Sequence, residues 1–252
     1  MSEKSKEYYE ARELVFPKAQ RMIFCNVVEP KAPPSKHGKT KERFSATFLL
    51  DPADPLFSGE GKSIQRLSLM MAKEHFPQVY QDALAAAQAA GGATVAGVIA
   101  ELKKAGIGFP FDSVAEINEE RRKNGDSSYP GEPEQIHFRA SSTVAEGDRY
   151  KYRPRLGSVE TGRGVLFGKD EIAMHADKFY PGAEAFAVVS FAGFLVDGKR
   201  TVKAYLNQVF VTGRGERLGG NGGADRFDQF LGKDTVVNPI TGDGVGHIPD
   251  VI

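Results

Sequence analysis

Alternating apolar and polar residues predict β-strands in both the first and the last third of the chain. The clearest example is the segment Glu42 to Leu50, in which the two kinds of residue alternate almost perfectly. One face of this strand would carry Phe44, Ala46, Phe48 and Leu50, and the other Arg43, Ser45 and Thr47. Further strands are predicted over residues 14–30, 135–142, 184–196 and 201–211. The fold class is therefore expected to be mainly β.

The last two predicted strands are expected to form a hairpin. Residues 185–196 are apolar on both faces, which is typical of a strand in the middle of a sheet. Asp197-Gly198 follows, and this dipeptide favours the tight turn between two antiparallel strands. In the second strand the residues expected to face inward are Val202, Ala204 and Leu206, and those expected to face outward are Lys203, Tyr205 and Asn207.

A change of pattern divides the strands into two groups. Residues 63–105 predict an α-helical insertion, because apolar residues recur at helical spacing and one stretch is rich in alanine. Residues 106–135, rich in Gly, Pro, Asn and acidic side chains, predict a long acidic loop. We expect a single domain over 14–231, a flexible N-terminus over 1–13 and a loose, weakly acidic C-terminal tail over 232–252.

Composition excludes several classes of function. The 252 residues include 33 basic and 33 acidic side chains, so net charge gives no general attraction to a nucleic acid or a membrane. The single cysteine, Cys25, excludes a disulfide framework, and the scattered histidines have no ligand spacing, so we expect no metal site. Phosphate-loop and nucleophile-elbow motifs are absent. We expect no cofactor, no enzymatic activity and, without a signal-peptide pattern, a cytoplasmic location.

Cationic and aromatic side chains alternate in the segment Arg149-Tyr150-Lys151-Tyr152-Arg153-Pro154-Arg155. If this segment is extended, the two tyrosines share one face and the basic side chains flank them on the other. Single-stranded nucleic acid binds to this combination, because cations contact the phosphates and unpaired bases stack on the rings. The alternative is a solvated loop whose tyrosines pack on the core.

Basic residues elsewhere strengthen the prediction of a binding groove. Residues 31–43 contain five basic side chains against one glutamate, and few of the other residues there are large and apolar. The outward faces of two predicted strands would add Arg43, Lys203 and Tyr205 to the same surface. The alternative for each of these features is an ordinary hydrated surface.

Eight short segments with a characteristic order and spacing suggest a family. They are residues 21–30, 43–52, 138–142, 152–154, 179–182, 205–210, 213–220 and 225–228. Taken together, the series resembles the single-stranded DNA-binding proteins of tailed phages, which have an OB-fold and act in replication and recombination.

The resemblance implies an OB-fold, a five-stranded Greek-key barrel, here with an α-helical insertion and a flexible C-terminal tail. It implies sequence-independent binding of single-stranded DNA during phage DNA replication, recombination or repair, in the cytoplasm of the infected bacterial host. Either a monomer or a dimer fits. With the patterns above, it gives these expected DNA-binding residues: Lys36, Lys39, Lys41, Arg43, Arg139, Arg149, Tyr150, Lys151, Tyr152, Arg153, Arg155, Lys203 and Tyr205.

Two questions stay open at this point: whether the chain binds nucleic acid, and what its C-terminal tail does. A phage structural or assembly β-protein without nucleic-acid binding would also have a neutral composition, an acidic loop and the Gly-rich connector at 213–223. The C-terminal tail either recruits phage replication proteins, competes with DNA for the groove, or has no role.

Overall fold

The computed structural model describes residues 3–32, 41–196 and 198–218. Its strands are β1 (Glu13–Val15), β2 (Gln20–Lys31), β3 (Arg43–Leu50), β4 (Ile107–Gly108), β5 (Phe111–Ser113), β6 (Ile136–Thr143), β7 (Arg155–Glu160), β8 (Arg163–Leu166), β9 (Glu184–Val196) and β10 (Lys199–Val211). Its α-helices are α1 (Glu3–Arg12), α2 (Pro55–Ser58), α3 (Ile64–His75), α4 (Pro77–Ala89), α5 (Val95–Lys104) and α6 (Val114–Lys123), and a 3-10 helix spans Ala173–Lys178.

Five of the strands pair in a closed cycle. β2 pairs with β3 and β3 with β6, both in antiparallel orientation. β6 then meets β10 in parallel orientation at Ala140 and Ala204. β10 pairs antiparallel with β9, and β9 returns to β2, where Ala185 lies opposite Gln20. The fold is therefore mainly β, with a mixed sheet and several helices, as the strand patterns predict.

The β9–β10 hairpin is confirmed with the predicted faces. Val196 lies opposite Lys199 across the turn. Gly198 has a φ of 75°, in the left-handed region that glycine adopts without a Cβ clash. Along β10 the three residues expected to face inward are buried, and Lys203 on the opposite face is exposed.

The other strands extend the cycle at its edges. β1 lies beside β9, and β7 runs parallel to the end of β10 with β8 as its antiparallel neighbour. Sequence analysis does not predict β7 and β8. They pack closely: a Cβ on Gly157 would lie 2.2 Å from the carbonyl oxygen of Val165 and 2.8 Å from the ring of Phe210, so only glycine fits there.

Phenylalanine rings fill the interior of the strand cycle. Phe48 packs edge-on against Phe16, with ring centroids 5.0 Å apart, and Phe138 stacks on Phe191 at 6.2 Å. All four side chains are buried, and so are the four residues of β3 that were assigned to its apolar face. Burial of such rings is the main stabilising contribution to the fold.

Helices α3, α4 and α5 lie in the segment for which the sequence predicts a helical insertion. α3 begins at Ser63, whose hydroxyl accepts a hydrogen bond from the amide of Arg66, and α5 begins at Thr94, which caps Gly97 in the same way. The apolar sides of these helices, with Leu67 of α3 among them, join the core beside β9. None of the described helices is long and apolar enough to cross a membrane.

Two segments expected to lack regular structure contain helices. α1 occupies most of the N-terminus that was expected to be flexible, and the buried guanidinium of Arg12 joins it to Glu74 of α3. The expected acidic loop contains β4, β5 and α6. α6 begins with a capping box, in which the Ser113 hydroxyl accepts from the amide of Glu116 and the Glu116 carboxylate accepts from the amide of Ser113. Local contacts of this kind override the unfavourable composition.

Candidate nucleic-acid interface

The outer face of β3, β6 and β10 is polar, and the strand register brings its side chains together. Thr47 lies opposite Arg139 across the β3–β6 pair. The parallel contact between Ala140 and Ala204 sets Arg139 beside Lys203 on the outer face of the β6–β10 pair. Cations from three strands distant in sequence therefore share one surface.

Arg43, Arg139 and Lys203 line one depression of about 160 Å³. Burial, and then the charge of Arg139, lower the pKa of Arg43. The one carboxylate on the wall, Asp112, lies 2.9 Å from the ammonium of Lys103 and so has its own cation. Among the residues that the structure describes, no carboxylate lies within ion-pair distance of the three cations in this depression. The depression therefore favours an anion such as a phosphate.

A second depression, of about 410 Å³, continues along β10. Its lining includes Tyr152, Arg153, Tyr205 and Asn207, with Thr143 at the end of β6. The Tyr152 side chain is 50% exposed, so its ring face is open to a ligand. An exposed ring beside a guanidinium suits a nucleobase and its neighbouring phosphate.

Residues 149–152 form turns, and a strand, β7, begins only at Arg155. The amide of Lys151 donates to the carbonyl of Asp148 at 3.2 Å, and the amide of Arg153 donates to the carbonyl of Tyr150 at 3.1 Å. The turns separate the tyrosines: Tyr152 lines the depression beside β10, and Tyr150 lines another one, of about 400 Å³. The expectation that both rings share one face is therefore wrong.

The third depression has a cationic wall. Lys151, Arg153 and Arg155 line it together with Tyr150 and Lys169. The Arg153 guanidinium lies 5.0 Å from the centre of the Tyr150 ring. Arg153 lines this depression and the one beside β10, so the two adjoin.

Arg149 is held by carboxylates of its own chain. Its guanidinium donates to both oxygens of Glu42 at 3.0 and 3.1 Å, and these hydrogen bonds raise the pKa of Arg149. Glu29 lies 3.5 Å from the same guanidinium and accepts from the hydroxyl of Tyr150 at 2.9 Å. The two acids tie the turn to β2 and to the start of β3, so among the predicted cations that the structure describes, Arg149 has its charge neutralised by carboxylates.

The remaining predicted cations belong to the segment before β3. Lys41 is exposed two residues ahead of the strand and lines none of the three depressions described above. Lys36 and Lys39 lie outside the described residues.

Sequence analysis missed several aromatic residues on the outer face. Phe194 of β9 packs edge-on against Tyr205, with ring centroids 5.9 Å apart, and the Lys203 ammonium lies 5.7 Å from the Phe194 ring. Phe24 of β2 and Tyr129 form another pair. Both Phe24 and Phe194 lie in continuous apolar runs, so the sequence does not reveal that their side chains face outward.

Outside this surface, the side chains with potential reactivity are the thiol of Cys25 and the possible metal ligands. Burial raises the pKa of the Cys25 thiol to about 12, so this sulfur stays protonated. Within the described ranges, no three His, Cys, Asp or Glu side chains cluster closely enough to hold a metal ion.

Comparison with known proteins gives a structural match. The chain aligns with the single-stranded DNA-binding protein from bacteriophage Enc34 in complex with single-stranded DNA, with a TM-score of 0.50, 16% identity, and coverage of 84% of this chain and 92% of that one. Another structure of the Enc34 protein gives a TM-score of 0.50 and 16% identity over 88% and 92% of the two chains. This likeness establishes the overall fold. No family model matches the chain, and no curated protein matches it in sequence.

Proposed function

We propose that this protein binds single-stranded DNA without sequence preference, in a groove across the outer face of β3, β6 and β10. We further propose that the cycle of β2, β3, β6, β9 and β10 is an OB-fold barrel. Oligonucleotides bind to OB-folds across the second and third barrel strands and the loops after the first and fourth. In this chain those strands are β3 and β6, and the loop after the first barrel strand carries the cluster of lysines before Arg43.

One observation carries the proposal. Three cations from three different strands line one depression, and none of them has a carboxylate at ion-pair distance among the described residues; the exposed Tyr152 and the partly buried Tyr205 line the adjoining surface. Without a bound anion this arrangement is unfavourable, because the Arg43 guanidinium is partly desolvated and lies next to the like charge of Arg139. The bound single strand in the Enc34 structure supports the choice of ligand.

The mechanism divides the groove residues by chemistry. Arg43, Arg139 and Lys203 neutralise phosphates, while Tyr152 and Tyr205 provide ring faces for unpaired bases. Every nucleotide has a phosphate and a π-face, so these contacts do not depend on sequence. Duplex DNA keeps its bases stacked in pairs and cannot use the tyrosines.

The proposed biological role is protection and organisation of single-stranded DNA during phage DNA replication, recombination or repair, in the cytoplasm of the infected host. This role requires no catalysis. We propose a monomer or a dimer as the active form, with replication proteins of the phage as partners of the C-terminal tail.

Fluorescence anisotropy of a labelled oligo-dT at two salt concentrations tests the proposal, with duplex DNA as competitor. We expect tight, salt-sensitive binding that the duplex does not displace. Absence of binding at low salt would refute it. Gel filtration without DNA separates the alternative, since a structural protein would elute as a large assembly.

A further inference from the structure

An aromatic pair lies on the barrel surface beyond the cationic depression. The Phe24 side chain on β2 is 41% exposed, although it is large and apolar. The ring of Tyr129, in the loop after α6, lies next to it, with ring centroids 5.2 Å apart and an interplanar angle of 59°. The exposed part of the Phe24 ring is not stabilised by burial, and Tyr129, which is partly buried, holds its ring beside it, so the Phe24 face is open to a ligand.

The strand register puts this pair on the same outer face as the proposed groove. Phe24 lies opposite Thr47 of β3, and Thr47 lies opposite Arg139 of β6. A straight line across the strands therefore joins Phe24 to the central cation of the depression. Neighbouring strands are about 4.8 Å apart, so Phe24 lies about 10 Å from the β6 backbone and about 14 Å from that of β10.

The Tyr129 ring is fixed in place before any ligand arrives. Its hydroxyl lies 2.5 Å from Nε2 of His137, and the two rings are perpendicular with centroids 4.8 Å apart. Burial raises the pKa of Tyr129 to about 12 and lowers that of His137 to about 3, so a neutral phenol and a neutral imidazole share this hydrogen bond. A fixed ring loses little entropy when a base stacks beside it.

Hydrogen bonds hold the loop that carries Tyr129 against α6. Asn118 accepts from the amide of Tyr129 at 2.5 Å and donates to its carbonyl at 3.4 Å. Arg121 donates to the carbonyl of Ser127 at 2.5 Å, and its guanidinium lies 5.8 Å from the Tyr129 ring. Arg121 and Arg139 thus both place positive charge near Tyr129.

We propose that Phe24 and Tyr129 form a base-stacking subsite for single-stranded DNA, with Arg121 and Arg139 holding the adjacent phosphates. This inference rests on the proposed function and extends the path of the strand from β10 across β6 and β3 to β2. Phe24 supplies the accessible ring face, and Tyr129 supports it from the side.

A tryptophan at position 24 tests the subsite directly. The chain contains no tryptophan, so Phe24→Trp introduces a single indole whose emission reports only on this place. We expect the variant to bind oligo-dT and its emission to be quenched on binding, because a stacked base contacts the indole. The matched control is Tyr9→Trp. Tyr9 lies on α1, away from this face, and is 59% exposed, so an indole at this position should show no quenching.

Affinity measurements give a second test. We expect Phe24→Ala to raise the Kd about 5- to 150-fold, which corresponds to the loss of one stacked base. Phe24→Leu should weaken binding similarly, because it keeps apolar bulk without a π-face, whereas Tyr9→Ala should leave the Kd unchanged. Thermal unfolding of each variant checks that the fold is intact, and Phe24→Trp remains informative if Phe24→Ala does not fold.

The outcomes separate this subsite from the groove. The subsite would be refuted if Phe24→Trp binds oligo-dT without quenching of its emission. If Tyr152→Ala weakens binding in the same assay, the proposed function still stands. Absence of binding by the wild type would overturn both.

Discussion

Removing the three cations of the central depression should flatten the salt dependence of DNA binding. The change is Arg43→Gln/Arg139→Gln/Lys203→Gln, which deletes positive charge while keeping side chains of moderate length. For single strands, the slope of log K against log salt is about −0.7 for each phosphate neutralised. The size of the effect therefore follows from the number of cations that the groove can supply.

Of the cations that the sequence predicts to bind DNA, seven lie in the described part of the chain and have no carboxylate at ion-pair distance there. They are Lys41, Arg43, Arg139, Lys151, Arg153, Arg155 and Lys203. If each neutralises one phosphate, the wild-type slope is about −5, and the affinity falls about a thousand-fold between 50 and 200 mM salt. With four cations left, the slope is about −3 and the same change in salt lowers the affinity about fifty-fold.

Titration of labelled oligo-dT by anisotropy at four or more salt concentrations measures both slopes. The control is Lys62→Gln/Arg66→Gln/Lys73→Gln, which removes the same charge from depressions around α3. It should change the slope far less, because these side chains do not face the groove. If the two triple variants have equal slopes, the assignment of phosphates to the depression is wrong.

Three further predictions use single substitutions. Tyr152→Ala should raise the Kd about 5- to 150-fold with the salt slope intact, because it removes stacking and no charge; a flatter slope would contradict this role. Glu42→Gln should steepen the slope by up to about 0.7, because it removes the closer of the two carboxylates that hold Arg149 and leaves only Glu29 at 3.5 Å; an unchanged slope would contradict this role of Arg149. His137→Gln should remove part of the acid sensitivity of the fold. The pKa of the buried imidazole is about 3, below its unfolded value, so wild-type stability falls as the pH drops from about 6.5 towards 3, by a few kcal/mol in order of magnitude. Denaturation midpoints measured between these pH values test this prediction. It is refuted if the wild type and His137→Gln lose stability equally.

The strands and their faces could be predicted because their signals are local. The alternation around Phe48 and the Asp-Gly signal for a hairpin each lie within a few residues, and the buried face of β3 and the pairing of β9 with β10 are both confirmed. α6 could also have been predicted, because the pair Ser113 and Glu116 has the spacing of a capping box. α1 offers no comparable signal, because its ion pair with Glu74 depends on the tertiary fold.

The groove could be predicted by residue type but not by arrangement. The proximity of Arg139 to Lys203 results from a parallel contact between distant strands, which no local pattern encodes. The separation of Tyr150 from Tyr152 results from turns in a segment whose alternation suggests a strand. The pairing of Arg149 with Glu42 connects residues more than a hundred positions apart and is equally invisible in the sequence.

The position of β10 in the strand cycle has a consequence for how the protein is made. β10 contacts β4, β6, β7 and β9, and it carries two of the groove side chains, Lys203 and Tyr205. During translation β3 and β6 leave the ribosome long before it. Until then the part of β6 that meets β10 is unpaired and the nascent chain has no complete groove. Under the proposed function, DNA binding therefore becomes possible in one step, when β10 closes the cycle.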